Sequence, residues 1–155
     1  MTVSRNKFKK TLSSFATGVT IVTTCLNNKR HGLTVNAFSS LSMDPPLVLI
    51  CIDKKTESNR ILKQSKIFAI NILNKKQKNL SKIFSDPNNK NRFYGVKTTT
   101  KITGSPIIVN SLGYIDCTVE KMIPAGDHNI FIGKIKTLNS KNLDPLIYYR
   151  SNYLV

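Results

Sequence analysis

Tyr114-Ile115-Asp116-Cys117-Thr118-Val119-Glu120-Lys121-Met122 alternates apolar with polar residues, Pro124-Ala125-Gly126-Asp127 interrupts it, and Asn129–Leu138 resumes with Phe131 and Ile135. Two such runs around a Pro/Gly/Asp turn read as neighbouring antiparallel strands. Ile115, Cys117 and Val119 share one face; Asp116, Thr118 and Glu120 share the other, which is expected to be wet.

Working outward, short β-branched or apolar runs dominate: Val19–Thr24, Gly32–Leu41, Leu47–Ile52 after the Pro45-Pro46 break, Ile67–Leu73 and Ile107–Asn110. Helices are few. Ser4 to about Gly18 spaces Phe8, Leu12 and Phe15 helically, Glu57–Gln64 turns Ile61 and Leu62 inward, and Asn74 caps a helix through Phe84. Ser85–Lys101 is a polar loop. The pattern gives a fold that is mainly β with a few helices, a barrel, because so few helices cannot cover both faces of a parallel sheet. Neither G-x-G-x-x-G nor G-x-x-x-x-G-K-[ST] occurs, so the standard phosphate-cradling loops are absent.

A chain of 155 residues, 40% hydrophobic, is one domain over 1–155 that can build its core without metal or disulfides. Cys25, Cys51 and Cys117 cannot all pair and sit in apolar or β-branched stretches; they read as reduced, buried thiols of a cytoplasmic protein. No run approaches a membrane span, and the basic stretch Met1–Lys10 lacks an apolar core and cleavage site, so no membrane partner and no processing are expected.

The net charge of +16 raises nucleic acid as a partner. However, 19 of the 24 basic residues are lysines spread from Lys7 to Lys141, in a chain also rich in Asn and Ile, as AT-rich coding produces. No aromatic array lies among them to stack bases. The surface field should attract anions such as nucleotides; nucleic acid itself is not expected.

The densest hydroxyl and amide cluster runs from Thr34 to Ser42. On composition alone a local Asx or Ser turn comes first, ahead of a site for a planar heterocycle and phosphate. His128, after Gly126-Asp127, reads as a solvent-facing turn residue, and His31 as a surface residue beside Arg30. No metal-ligand spacing connects the histidines to cysteines or carboxylates, so no metal is expected. The cysteines lack a neighbouring His, and Ser105 and Ser111 lack a G-x-S-x-G context, so a hydrolase is not supported.

Phe15-Ala16-Thr17-Gly18-Val19, the Thr34–Ser42 segment, Pro45-Pro46-Leu47-Val48-Leu49 and Phe68-Ala69-Ile70-Asn71-Ile72-Leu73 resemble the flavin reductase-like, FMN-binding split-barrel family. Gln77-Lys78-Asn79-Leu80, Arg92-Phe93, Gly126-Asp127-His128 with Gly133, and Pro145-Leu146-Ile147-Tyr148-Tyr149 follow in the family's order. The likeness spans nearly the whole chain.

The resemblance implies a homodimeric split β-barrel that binds FMN or FAD at the subunit interface, reduces it with NADH or NADPH, and supplies reduced flavin to a partner monooxygenase. By the same likeness Thr34, Asn36 and Ala37, with Val35 between them, face the isoalloxazine ring. Ser39, Ser40, Lys54 and Thr56 serve the ribityl chain and phosphate, Cys51 and Ile52 give backbone to the flavin wall, and Phe93 packs near the ring. Arg92 and Arg150, the latter after Tyr149, are candidate pyrophosphate contacts, since a planar guanidinium fork suits that group. His128 moves to the nicotinamide side, with Asp127 tuning its charge. Hydride transfer between nicotinamide and flavin uses the cofactors' own chemistry, which suits a chain with two histidines and eight carboxylates. A flavin carrier without reductase activity is the rival from another class, and a nucleic-acid-binding barrel the third.

Overall fold

The structure is a computed structural model describing residues 3–154; Met1, Thr2 and Val155, the ends of the 1–155 range, lie outside the described residues. In chain order it forms α1 (Arg5–Leu12), β1 (Thr17–Gly18), β2 (Thr20–Leu26), β3 (Lys29–Val35), β4 (Phe38–Ser42), β5 (Leu47–Asp53), α2 (Glu57–Ser65) and β6 (Ile67–Ile72). A 3-10 turn (Lys75–Gln77) leads into α3 (Lys78–Ser85), followed by β7 (Thr98–Thr99), β8 (Ile107–Ile108), β9 (Gly113–Ala125), β10 (His128–Ser140), β11 (Ile147–Tyr149) and β12 (Asn152–Leu154).

Seven strands make one antiparallel sheet in the order β3-β2-β6-β9-β10-β5-β4; β1-β11-β12 and β7-β8 form two small sheets. The large sheet is not closed. Its edge strands β3 and β4 are joined by Asn36-Ala37, where Phe38 N donates to Asn36 O and Cys51 N to Ala37 O, both at 3.0 Å. This open barrel is the split barrel expected above.

The β9–β10 pair forms as its alternation requires, with Ala125 opposite His128 across the loop Gly126-Asp127. Gly126 takes φ +55°, a conformation that two-residue hairpins demand and glycine adopts freely. Asn27 and Asn28, at φ +50° and +61°, turn β2 into β3 with Leu26 opposite Lys29. The extended run Gly32–Leu41 is thus two strands, and the first begins at Lys29.

Alternate side chains of β2 enter different cores. Val22 joins Val35, Ile50, Phe68, Cys117 and Phe131 inside the barrel. Ile21 packs outside it with Phe84, Ile108 and Leu146. Each such side chain contributes about 1.5–3 kcal/mol on burial.

The outer layer corrects the expectation of a wet face on β9. Asp116 is fully buried, because Thr103–Ile108 lies over it: Thr103 N donates to Asp116 Oδ2 at 2.9 Å and the Thr103 hydroxyl donates to Oδ1. Asn71 Oδ1 accepts from Ile108 N at 2.7 Å, fastening the same segment to β6. Two further expectations change. Cys25 and Cys51 are half-buried rather than buried, and burial pushes the Cys117 thiol up to about 12. The first helix stops at Leu12, well before Gly18, capped by the Ser4 hydroxyl accepting from Lys7 N, and buries none of its residues.

Candidate functional site

Along the open edge of the barrel runs a groove of about 1150 Å³. Its floor is β3. Side chains alternate along a strand, so Arg30, Gly32 and Thr34 face one wall, formed by α3 and the loop after it, and His31 and Leu33 face the other, at the start of α2. Gly32 has to be glycine: a Cβ there would meet Phe84 Cε1 at 2.8 Å and Phe93 Cζ at 3.3 Å. Phe84 and Phe93 meet edge-on with centroids 5.0 Å apart.

Of the residues nominated from sequence, the groove brings together Thr34, Thr56, Arg92 and Phe93. Thr34 Oγ1 donates to Ser81 O at 2.7 Å, and Ser81 Oγ lies 2.7 Å from Tyr153 Oη. Thr56 caps α2, accepting from Asn59 N at 3.2 Å while donating to Asp53 O at 2.8 Å. Arg92 braces the wall: Nη1 donates to Gly32 O at 2.9 Å and Nη2 to Asp86 O at 2.8 Å. Its fork is filled by main-chain carbonyls.

Lys54, Cys51, Ile52 and His128 stand at the adjoining end of the β5–β10 ladder, where His128 is opposite Asp53 and Ile130 opposite Cys51. Lys54 reaches across the turn, its Nζ donating to Gly126 O at 2.6 Å. His128, 43% exposed in its side chain, has Nδ1 2.7 Å from Asp127 Oδ1. That hydrogen bond, aided by the charge interaction with His128, holds the Asp127 carboxyl below its usual range. The carboxylate accepts from Nδ1, which leaves Nε2 outward as an acceptor when the ring is neutral. Asp53 to Thr56 are consecutive, so this ladder end and the groove are one continuous surface.

Asn36, Ala37, Ser39 and Ser40 are exposed on the joint and on edge strand β4, with Val35 buried behind them. Ser39 Oγ donates to Ser40 O at 2.9 Å. Tyr149 and Arg150 are not gathered with the rest: they belong to the β11–β12 hairpin, where the Arg150 guanidinium lies 5.2 Å from the Tyr149 ring centre.

Sequence reasoning missed Arg30 and His31. Arg30 lies over Phe93 at 4.9 Å from the ring centre and its Nη1 donates to Thr98 Oγ1 at 3.1 Å. His31 is half-buried in the groove wall; burial lowers its pKa, and Arg60 and Lys29 lower it further against the opposing pull of Glu57. The Asn27-Asn28 turn was the available signal, since it fixes where β3 begins and therefore which residues line the edge. Among the described residues, no group of three or more His, Cys, Asp and Glu side chains stands close enough to hold a metal ion, and no helix is long and apolar enough to cross a membrane.

The flavin reductase like domain model matches residues 12–154. The chain is 36% identical over 149 residues to the reductase subunit HsaB of a flavin-dependent monooxygenase from Mycobacterium tuberculosis, covering 94% of this chain and 79% of that protein. It is 34% identical over 152 residues to an NADH-dependent flavin reductase from Rhodococcus sp, covering 94% and 82%. Its fold is similar to that of the Streptomyces globisporus NADH:FAD oxidoreductase SgcE6 solved with NAD and FAD fragments, with a TM-score of 0.93 and 27% identity over 98% of this chain and 92% of that one. With this match over nearly the whole chain and these relatives, the chain belongs to the flavin reductase-like domain family.

Proposed function

We propose that this chain is an NAD(P)H:flavin oxidoreductase that passes reduced flavin to a monooxygenase, with His128 positioning the nicotinamide and the β3–β4 joint holding the flavin ring. The reading is supported by relatives named as monooxygenase reductase subunits and as an NADH-dependent flavin reductase. The observation that carries the assignment of roles is the meeting of the exposed joint Asn36-Ala37, tied to β5 through Cys51 N, with the Asp127–His128 pair on the next strand of the ladder.

The residues present fit a flavin. The joint offers small side chains and exposed backbone, the groove beside it carries Lys55 and Lys90, and neither of those side chains is in an ion pair among the described residues. Bound flavin supplies the hydride-accepting chemistry itself. Thr34, whose hydroxyl proton is committed to Ser81 O, can only accept a hydrogen bond from a ring N–H. Nε2 of His128 accepts from the nicotinamide amide while Asp127 fixes the ring. Orientation and exclusion of water, rather than proton transfer, are what these residues contribute. Ser39, Ser40, Lys54 and Thr56 are assigned to the ribityl phosphate; because Thr56 Oγ1 and Lys54 Nζ are engaged locally, the main chain around them and Lys55 carry that contact.

Exposed Phe8 and Leu12 on the unburied α1 and Phe15 after it, with Leu41 on edge strand β4 and Met43 just beyond it, support a homodimer that covers them and completes the flavin site. NADH is favoured over NADPH on the relatives' names.

His128→Ala tests the role assignment. It should raise the KM for NADH by about tenfold while changing flavin affinity by less than about twofold. Equal loss of both would remove His128 from the nicotinamide side.

A further inference from the structure

The β11–β12 hairpin stands apart from the groove, yet one of its side chains is linked to Thr34 through a single buried residue. Ser81, fully buried at the middle of α3, is bonded on two sides: its carbonyl oxygen accepts from Thr34 Oγ1 at 2.7 Å, and its own Oγ lies 2.7 Å from Tyr153 Oη. The Tyr153 ring is held in turn by Tyr148, with centroids 5.1 Å apart, and by the outer core of Phe84, Ile108 and Leu146. The hairpin does not depend on that hydroxyl for its place. Leu146 N donates to Leu73 O at 3.0 Å, Arg150 N donates to Ser13 O at 2.9 Å, and Tyr148 pairs with Thr17 on β1. The Tyr153 hydroxyl is therefore a fixed post against which α3 is set.

The consequence falls on Thr34. Its hydroxyl presents a lone pair to a ring N–H only while its proton is kept on Ser81 O, because a threonine hydroxyl both donates and accepts and rotates to suit its surroundings. Hydrogen bonds weaken steeply as their angle closes, so a turn of α3 about its axis frees the proton and lets the hydroxyl point it at the ring instead. Resting on the reductase reading, in which Thr34 faces the flavin, we propose that Tyr153 is a positioning residue for the flavin: acting through Ser81, it fixes the Thr34 hydroxyl as an acceptor and so strengthens flavin binding. The assignment concerns binding and adds no step to the reaction.

Two hydroxyl deletions that barely change side-chain volume test it. Tyr153→Phe leaves the buried Ser81 hydroxyl without a partner and should lower the urea midpoint; adding Ser81→Ala removes that hydroxyl and should restore the midpoint. Flavin affinity, read by fluorescence titration of the full chain with FMN and with FAD, should nonetheless stay about fivefold weaker in the double variant. Thr34→Val should weaken binding at least as much, and the two deletions introduced into Thr34→Val should weaken it no further. Affinity that recovers along with the midpoint would make the Tyr153 hydroxyl structural only and overturn the proposal. Losses that add to that of Thr34→Val, or a Thr34→Val variant that binds flavin as wild type does, would overturn it as well. Failure of wild type to bind either flavin would overturn the reductase reading beneath the proposal, and the proposal with it.

Discussion

Asn129 Nδ2 donates to Asn59 Oδ1 at 2.9 Å, and Asn59 Nδ2 donates onward to Ile52 O at 3.0 Å. Both side chains are 1% exposed. Asn129 follows His128 on β10, Asn59 lies in the first turn of α2 beside the groove, and Ile52 is in the β5 wall, so one buried amide relay ties the three walls of the site together. Buried amides are costly unless paired, and this pair is satisfied by its own geometry.

Asn129→Leu strands the Asn59 carbonyl oxygen in that interior. The expected loss is about 1–3 kcal/mol, read as a lower urea midpoint with an unchanged slope. An unchanged midpoint would mean that water reaches Asn59.

Gly133 and Gly18 should respond very unequally to alanine. A Cβ at Gly133 would meet Phe68 Cζ at 2.4 Å and Cys117 Cβ at 3.0 Å, at a point where the β9–β10 register shifts, whereas nothing lies within 4 Å at Gly18. Gly133→Ala is expected to cost about 1–3 kcal/mol through overpacking, and Gly18→Ala less than about 0.5 kcal/mol. Thermal or urea unfolding of the two variants side by side checks this.

Much of the scaffold was legible because its determinants are local. Alternation in Tyr114–Met122 and the Pro124–Asp127 turn specify the β9–β10 pair, and the cap at Asn74 opens a helical turn where it occurs. What could not be read depends on residues far apart in sequence. Asp116 looks like a solvent-facing position until Thr103 is brought over it, and His31 beside Arg30 looks like plain surface until Phe93 and the start of α2 are brought alongside. The ordered motifs located the joint and the His128 turn, but they carry no information about side chains that spend their donors locally, as Arg92 and Lys54 do.

His31 should give stability a pH dependence. Folding holds its pKa below the ordinary value, chiefly through burial, while the unfolded chain titrates near the unperturbed value of about 6.5. As pH falls through that range the unfolded state takes up the proton first, so His31's contribution, complete above it, is lost progressively until the folded-state value is passed. His31→Gln should therefore flatten the fall in urea midpoint from neutral to mildly acidic pH relative to wild type. Parallel curves for the two proteins would contradict the half-buried placement of the ring in the groove wall.

The most direct measurement mixes the full protein, loaded with flavin under anaerobic conditions, with NADH and follows absorbance at the flavin band in a stopped-flow instrument. Rapid, protein-dependent bleaching that saturates with NADH, slowed at low NADH in His128→Ala and restored at high NADH, is the predicted result. Flavin that binds yet stays oxidised with both NADH and NADPH would contradict it and leave a carrier on a reductase scaffold.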